Sequence, residues 1–308
     1  MSAGPESPTP APHAAPASVD ATPVVSTVHR GVRPWLRATR QRVRAEIWIV
    51  LACSLIPSAL LAVLRLVEYL LAPEPIGQQQ VALNDPTSQA IVFDLIRRTI
   101  YVAASLAPVA LAMLLLSNRF QHGFTRLGMN LGAGVRVDAS DRAQVRRMRV
   151  FGRDFGRGAL LAAAIGIPGL ALYVISRAAG LTVQVAAGDV TFRWSTLIAL
   201  VLAALEAALL EEIIVVGYLS LRLRTLGWSV WAIILVSSLL RGSYHLYQGV
   251  PMALGNVVMG LVFASAYWFW RASDGQRRVL PLIIAHAILD AVAFIGYPFA
   301  KQIWPGVF

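Results

Sequence analysis

Apolar residues along this chain gather in long, nearly unbroken runs, with charged residues pushed into the segments between them. Runs of roughly 17 to 25 mostly apolar residues fall at about 46–72, 91–116, 158–179, 195–220, 228–247, 252–271 and 279–298. They are too long for strands and lack the alternation of a membrane barrel, whereas a helix satisfies its own backbone groups in lipid. The pattern predicts an all-α, polytopic transmembrane helix bundle of about seven spans.

The polar segments predict an orientation. Residues 1–29 are rich in Pro, Ala, Ser and Thr, lack both parts of a secretory signal, and read as a disordered tail. A basic juxtamembrane segment follows at 30–45, with Arg30, Arg33, Arg37, Arg40, Arg42 and Arg44. The connection from Pro73 to Ala90 carries Glu74 and Asp85 but no Lys or Arg, whereas that from Ser117 to Arg157 carries nine arginines. By the excess of positive charge on cytoplasmic loops, the N-terminus lies inside and the C-terminus outside. Within the basic loop, Val145 to Phe155 mixes Val, Met and Phe with Arg146, Arg147, Arg149 and Arg153, which predicts an amphipathic helix on anionic headgroups. Three N-terminal spans and this loop make up 46–179, a C-terminal helical core makes up 195–298, and 299–308 is a tail.

Composition agrees with this reading. Of 308 residues, 57% are hydrophobic and 14% charged, more apolar surface than one water-soluble core hides, so the excess faces lipid. A net charge of +11 raises the question of nucleic acid, but the arginines separate apolar runs and do not line one polar face. No nucleic-acid partner is expected; the bilayer is. The single Cys53 forms no internal disulfide, and no internal repeat points to a transporter. Nothing in the pattern sets an oligomeric state.

Ionisable residues inside the runs carry the candidate chemistry. In the first two spans, Arg65 with Glu68, and Asp94 with Arg97 and Arg98, lie near helix ends where side chains snorkel. The fourth span is different: Glu206, Glu211 and Glu212 interrupt an aliphatic stretch, at roughly 2.5 to 3.5 kcal/mol for a carboxylate at membrane depth. On an α-helix adjacent glutamates point about 100° apart, so Glu211 and Glu212 are expected to address different neighbours, and Glu206 to make a helix-pairing contact. Arg241 and His245 close the fifth span four residues apart, which on a helix puts them on one face, with Gly242 and Ser243 allowing close approach of a neighbour. His286 and Asp290 share a face of the seventh span, the spacing at which a carboxylate orients an imidazole or both serve one water or metal. Carboxylates and imidazoles meeting in a low-dielectric cavity suit hydrolysis first, with proton translocation using similar parts.

These residues also carry a resemblance. EEIIVVGY at Glu211–Tyr218, RGSYHLYQG at Arg241–Gly249 and HAILD at His286–Asp290 resemble the three motifs of the CPBP family of intramembrane proteases, the CAAX-protease and bacteriocin-processing group also called the Abi family. That family pairs EExxxR, FxxxH and HxxxN or HxxxD on separate transmembrane helices. The resemblance implies an intramembrane endopeptidase acting on a membrane-associated polypeptide. Glu211 would activate water with support from Glu212, His245 and His286 would be catalytic or metal-binding, and Asp290 would orient or stabilise an oxyanion. It leaves two chemistries open, zinc held by His245 and His286 or a glutamate-activated water without metal. An inactive scaffold or immunity protein of the same family is the competing reading.

Two positions depart from the motifs: Val216 stands where the first has arginine, and Arg241 where the second has an aromatic. A cation has left one helix and entered its neighbour, so Arg241 is expected to pair across the interface with Glu212 or Glu211. On straight parallel helices His245 would lie roughly 25 Å from the cytoplasmic end of its span and His286 about 12 Å, so at least one helix is expected to be strongly inclined. The Arg-over-Lys, Ala-rich composition points to a bacterium and its plasma membrane, where prenylated substrates are not expected.

Overall fold

The computed structural model describes residues 34–85, 87–88, 90–129, 141–186, 194–272, 275–305 and 307, together with residues 1 and 4. The expected N-terminal tail and the first basic residues, Arg30 and Arg33, lie outside the described residues.

The described chain is almost wholly helical. Prolines decide where the first spans break. Helix α1 (Pro34–Ala52) and helix α2 (Leu55–Leu71) meet at a 50° bend, so the expected single span at 46–72 is a bent pair. Pro57 has no N–H to give the Cys53 carbonyl and its ring crowds that oxygen, which parts the helix there. Ser54 Oγ turns back instead to the Val50 carbonyl at 2.6 Å. Pro108 acts in the same way between α3 (Ile91–Ser105) and α4 (Ala107–Leu116).

A short helix α5 (Gly123–Arg126) leads to the basic connection, and from there α6 (Asp141–Ala178) runs without a break for 38 residues. The expected surface helix at Val145–Phe155 and the expected span at 158–179 are therefore one rod, because extending a helix costs far less than nucleating a second one. On the opposite end of the bundle, β1 (Gln80–Ala82) and β2 (Gln184–Ala186) pair in parallel, Gln80 beside Gln184, a small sheet that the apolar pattern did not announce.

The C-terminal core is α7 (Trp194–Glu211), a wide π-helical turn (Glu212–Tyr218), α8 (Leu219–Thr225), α9 (Val230–Ser243), α10 (Val250–Phe269) and α11 (Leu280–Ile303). Helix α11 packs on α6 and α7, α9 on α10, and α3 on α7. Close approach is built from glycine. A Cβ on Gly158 of α6 would stand 2.8 Å from the Pro281 carbonyl oxygen, and one on Gly260 of α10 would stand 2.8 Å from Ser238 Cα of α9. Beside Gly158, buried Asp154 accepts from Arg278 Nε at 2.7 Å and anchors the start of α11 to α6.

Four helical segments, Ile91–Leu116, Arg147–Ala178, Val250–Phe269 and Leu280–Ile303, are long and apolar enough to cross a membrane, and the bent pair α1–α2 makes a fifth. The two further spans expected from sequence correspond to the glutamate-bearing α7–α8 segment and to α9, a shorter apolar helix of 14 residues. Apolar side chains cover the outside as well as the core: Leu61 and Leu71 on α2, Ile167 and Ile175 on α6, Leu254 on α10 and Val292 on α11 are exposed. In water this surface would drive aggregation, and in lipid it is solvated.

Because α9 and α10 meet backbone to side chain at Gly260, Gly260→Val is expected to lower stability by about 1–3 kcal/mol. Gly296→Ala, where a Cβ meets nothing within 4 Å, should leave it unchanged. Thermal unfolding of the two variants in detergent measures the difference.

Candidate active site

The site begins where α7 widens. Glu211 is the last residue of α7 and Glu212 the first of the π-helical turn, whose following residues are the β-branched run Ile213 to Val216 and Gly217. All of them are buried. Such wide turns are rare and cluster at functional sites. Both carboxylates reach the same guanidinium, while each also keeps its own neighbour, Tyr244 for Glu211 and His286 for Glu212, so the expectation that they address different neighbours holds in part.

That guanidinium is Arg241, fully buried at 0% exposure on α9. Its Nη2 donates to Glu212 Oε1 in a short contact, and its Nη1 lies 3.1 Å from Glu211 Oε2, within ion-pair distance but off the line of a hydrogen bond. Phe263 of α10 lies beneath it, 5.5 Å from ring centre to Cζ. An arginine in the aromatic position of the second motif thus supplies the cation absent at Val216, itself buried in the apolar core.

Glu212, at 0% exposure, continues the chain of contacts to α11. His286 Nδ1 lies 2.8 Å from Glu212 Oε1, and Nε2 lies 3.4 Å from Asp290 Oδ2 one turn along. With a carboxylate at each ring nitrogen, the imidazolium donates to both, and the neutral ring to only one. Glu211, at 8% exposure, is the more open of the two glutamates, and the Tyr244 hydroxyl donates to its Oε2 at 2.8 Å. Tyr244 was not singled out from sequence, although it stands inside the second motif. A tyrosine in an apolar run reads as packing, and only the fold shows its oxygen on a carboxylate.

His245 reaches the site by a different route from the one its spacing suggested. Helix α9 ends at Ser243, so His245 does not share a helical face with Arg241; it opens a 3-10 turn, Leu246–Gln248. Gly242 and the turn-forming sequence after it end the helix early. The contact that remains is local: His245 Nδ1 faces the Arg241 carbonyl oxygen at 3.0 Å, and since a carbonyl only accepts, Nδ1 carries the proton and Nε2 is the free lone pair of the neutral ring. The ring is flanked by Tyr244 and Tyr247, at centroid distances of 4.9 and 6.3 Å. Glu211 and His286 are close enough to act on it electrostatically. Glu206 stays apart from this cluster, half-buried against Ser105 of α3 in a helix-pairing contact.

Metal binding is tested by the donors. Glu211, Glu212 and His286 place ligand atoms within 4.8 Å of one another, while His245, paired with His286 in the zinc reading, is not in that group. One oxygen of each carboxylate is engaged, Glu211 Oε2 by Arg241 and Tyr244 and Glu212 Oε1 by Arg241 and His286, while Glu212 Oε2 is buried without a hydrogen-bond partner. The group could hold a metal ion, which would sit beside the charge of the Arg241 guanidinium.

Removing the positive partner of two buried carboxylates leaves them uncompensated, so Arg241→Met is expected to cost roughly 3–5 kcal/mol. The triple change with Glu211→Gln and Glu212→Gln should recover a large part of it, as read by thermal unfolding in detergent. Among known proteins, none of the curated proteins and none of the solved structures matches this chain. Residues 193–292, the segment that holds α7, the π-helical turn, α9, α10 and the first half of α11, match the family model described as type II CAAX prenyl endopeptidase Rce1-like. The C-terminal third of this helical membrane protein is thus similar to the Rce1-like family, and the cluster of Glu211, Glu212, Arg241, His245 and His286 lies within the matched segment.

Proposed function

We propose that the chain is an intramembrane endopeptidase that hydrolyses a peptide bond of a membrane-associated protein or lipopeptide with a glutamate-activated water and no metal. The observation that carries this reading is the asymmetry between the two glutamates. Glu212 is fully buried, with Oε1 held by Arg241 and His286, whereas Glu211 keeps some access and touches Tyr244. Its Oε2 binds the phenol and faces the guanidinium, which leaves Oε1 to take a proton from water. The water oxygen then bonds to the scissile carbonyl carbon, and an oxyanion forms. Arg241, fully buried with Nη1 3.1 Å from Glu211 Oε2, acts through its charge, which favours the negative charge that develops beside that carboxylate. His245 Nε2 relays the proton to the amine as the C–N bond breaks, and Glu211 returns to carboxylate. Glu212, His286 and Asp290 hold the array in place.

The family match supports a protease at the level of the family, whose description is that of a CAAX prenyl endopeptidase. For this chain we propose a polypeptide substrate in the plasma membrane of a bacterium, with the basic connections on the cytoplasmic side. A second reading has its own observation: Arg241 engages both glutamates at once, as a purely structural cluster would, and an inactive scaffold of the same family would look this way.

Activity separates the two. Glu211→Gln keeps shape and loses the base, so cleavage of a quenched lipopeptide by the purified protein should fall by about 10²–10⁴-fold with thermal stability retained. Wild-type cleavage should persist after treatment with a strong chelator. No cleavage of any lipopeptide by the wild type, or full cleavage by the variant, would sink the catalytic reading, and loss of activity on chelation would overturn its metal-free form.

A further inference from the structure

Outside the carboxylate cluster, a group of arginines lies at the other end of α8. A cavity of about 530 Å³ opens there between the end of α4, α5, α8, the end of α10 and the segment before α11. Arg126, Arg222, Arg224 and Arg277 line it, with Gln121 and Trp268. Four guanidinium groups face one space, and the nearby carboxylate is Glu46 of α1, paired with Arg222 at 2.9 Å. Arg126 and Arg224 hold only backbone carbonyls, of Leu116 and Trp228, each at 2.9 Å. Among the described residues, no carboxylate pairs with Arg126, Arg224 or Arg277.

Unused donors in this wall are buried. Trp268 is 3% exposed, and its indole N–H has no hydrogen-bond partner. The Nε groups of Arg222 and Arg277 are likewise buried without one. The Arg277 guanidinium lies over the Trp268 ring, 4.1 Å from its centroid, so the plane that would grip an anion is held in place by stacking. Burial first, and then repulsion from Arg271, hold Arg277 below the ordinary arginine range. A buried donor left unmade is costly, and the like charges of Arg126, Arg224 and Arg277 add repulsion.

We propose that this cavity is a binding site for a phosphate-bearing anion, taken by the guanidinium groups of Arg224, Arg277 and Arg126 with the Trp268 indole N–H as a further donor. Planar guanidinium forks match phosphate oxygens in pairs, and indole gives only a donor, so the wall recognises an acceptor-only ligand. Phe120, Phe124, Trp228 and Trp270 stand exposed at the same end of the bundle, the aromatic composition of a membrane–water interface. The headgroup of an anionic phospholipid lies at that level, and a soluble phosphate ion is the other source of the same chemistry. The site is independent of the catalytic reading, since none of its residues belongs to the carboxylate cluster.

The test uses the full-length protein in nanodiscs of phosphatidylcholine with and without phosphatidylglycerol, and in detergent titrated with inorganic phosphate against chloride at equal ionic strength. Native mass spectrometry counts bound lipid, and thermal unfolding reports stabilisation. Phosphatidylglycerol is expected to bind in preference to phosphatidylcholine and raise the unfolding midpoint, with affinity about tenfold or more weaker in Arg224→Gln/Arg277→Gln. Lys301→Gln, an exposed charge removed at the far end of α11, should change nothing. Stabilisation by inorganic phosphate alone supports the same site with a soluble ligand; stabilisation by phosphatidylglycerol alone assigns the headgroup. Should the double variant fail to fold in phosphatidylcholine, the single Arg224→Gln, exposed and bonded only to a carbonyl, carries the comparison. No preference for either anion in the wild type, or undiminished binding in the Arg224 and Arg277 variants, overturns the proposal.

Discussion

Two carboxylates on adjacent residues, deep in an apolar helix bundle, can be kept charged only if a cation arrives from somewhere else in the chain. Arg241 is that cation, and much of the C-terminal core is arranged around delivering it. Its guanidinium has no exposure, so water offers it nothing, and its partners must come from protein. The same low dielectric that makes the pair strong makes each member costly alone. The position of α9 relative to the widened turn after α7 is thereby constrained by charge as well as by packing.

Packing makes the delivery possible. Glycine brings α9 against α10 at Gly260 and α11 against α6 at Gly158, and the ion pair from Asp154 to Arg278 starts α11 in register. Helix α11 then carries His286 to Glu212, with Asp290 one turn behind it. Glu211 and Glu212 stand where α7 gives way to the π-helical turn, and both reach Arg241 from there. A wide turn is less favourable than a regular one, and the ion pairs it permits offset that cost.

The departure of this chain from the motifs it resembles is a relocation of charge. Val216 lies in the apolar core, and the positive charge on the two glutamates comes from α9. A guanidinium from across the interface ties the glutamate-bearing segment to α9. At the far end of α8, three of the four guanidinium groups that line a cavity, those of Arg126, Arg224 and Arg277, have no carboxylate partner among the described residues. The first arrangement is closed within the chain, while the second is the proposed anion site.

Much of the architecture was legible in the amino-acid sequence, because hydrophobicity and the cost of charge in lipid are properties of single segments. Long apolar runs declared membrane helices, and Glu211, Glu212, Arg241, His245, His286 and Asp290 stood out as polar groups with no business in lipid unless they met. Order and spacing of three short motifs pointed to the family. Segment-level reasoning could not see where helices stop or which side chains touch, since both depend on contacts between parts of the chain far apart in sequence. So only the tertiary structure decided that Pro57 bends the first span, that α6 runs through the loop and the bilayer as one rod, and that α9 ends before His245. It alone brought both glutamates onto one guanidinium and Tyr244 onto Glu211, because a buried charge chooses its partner by proximity in space.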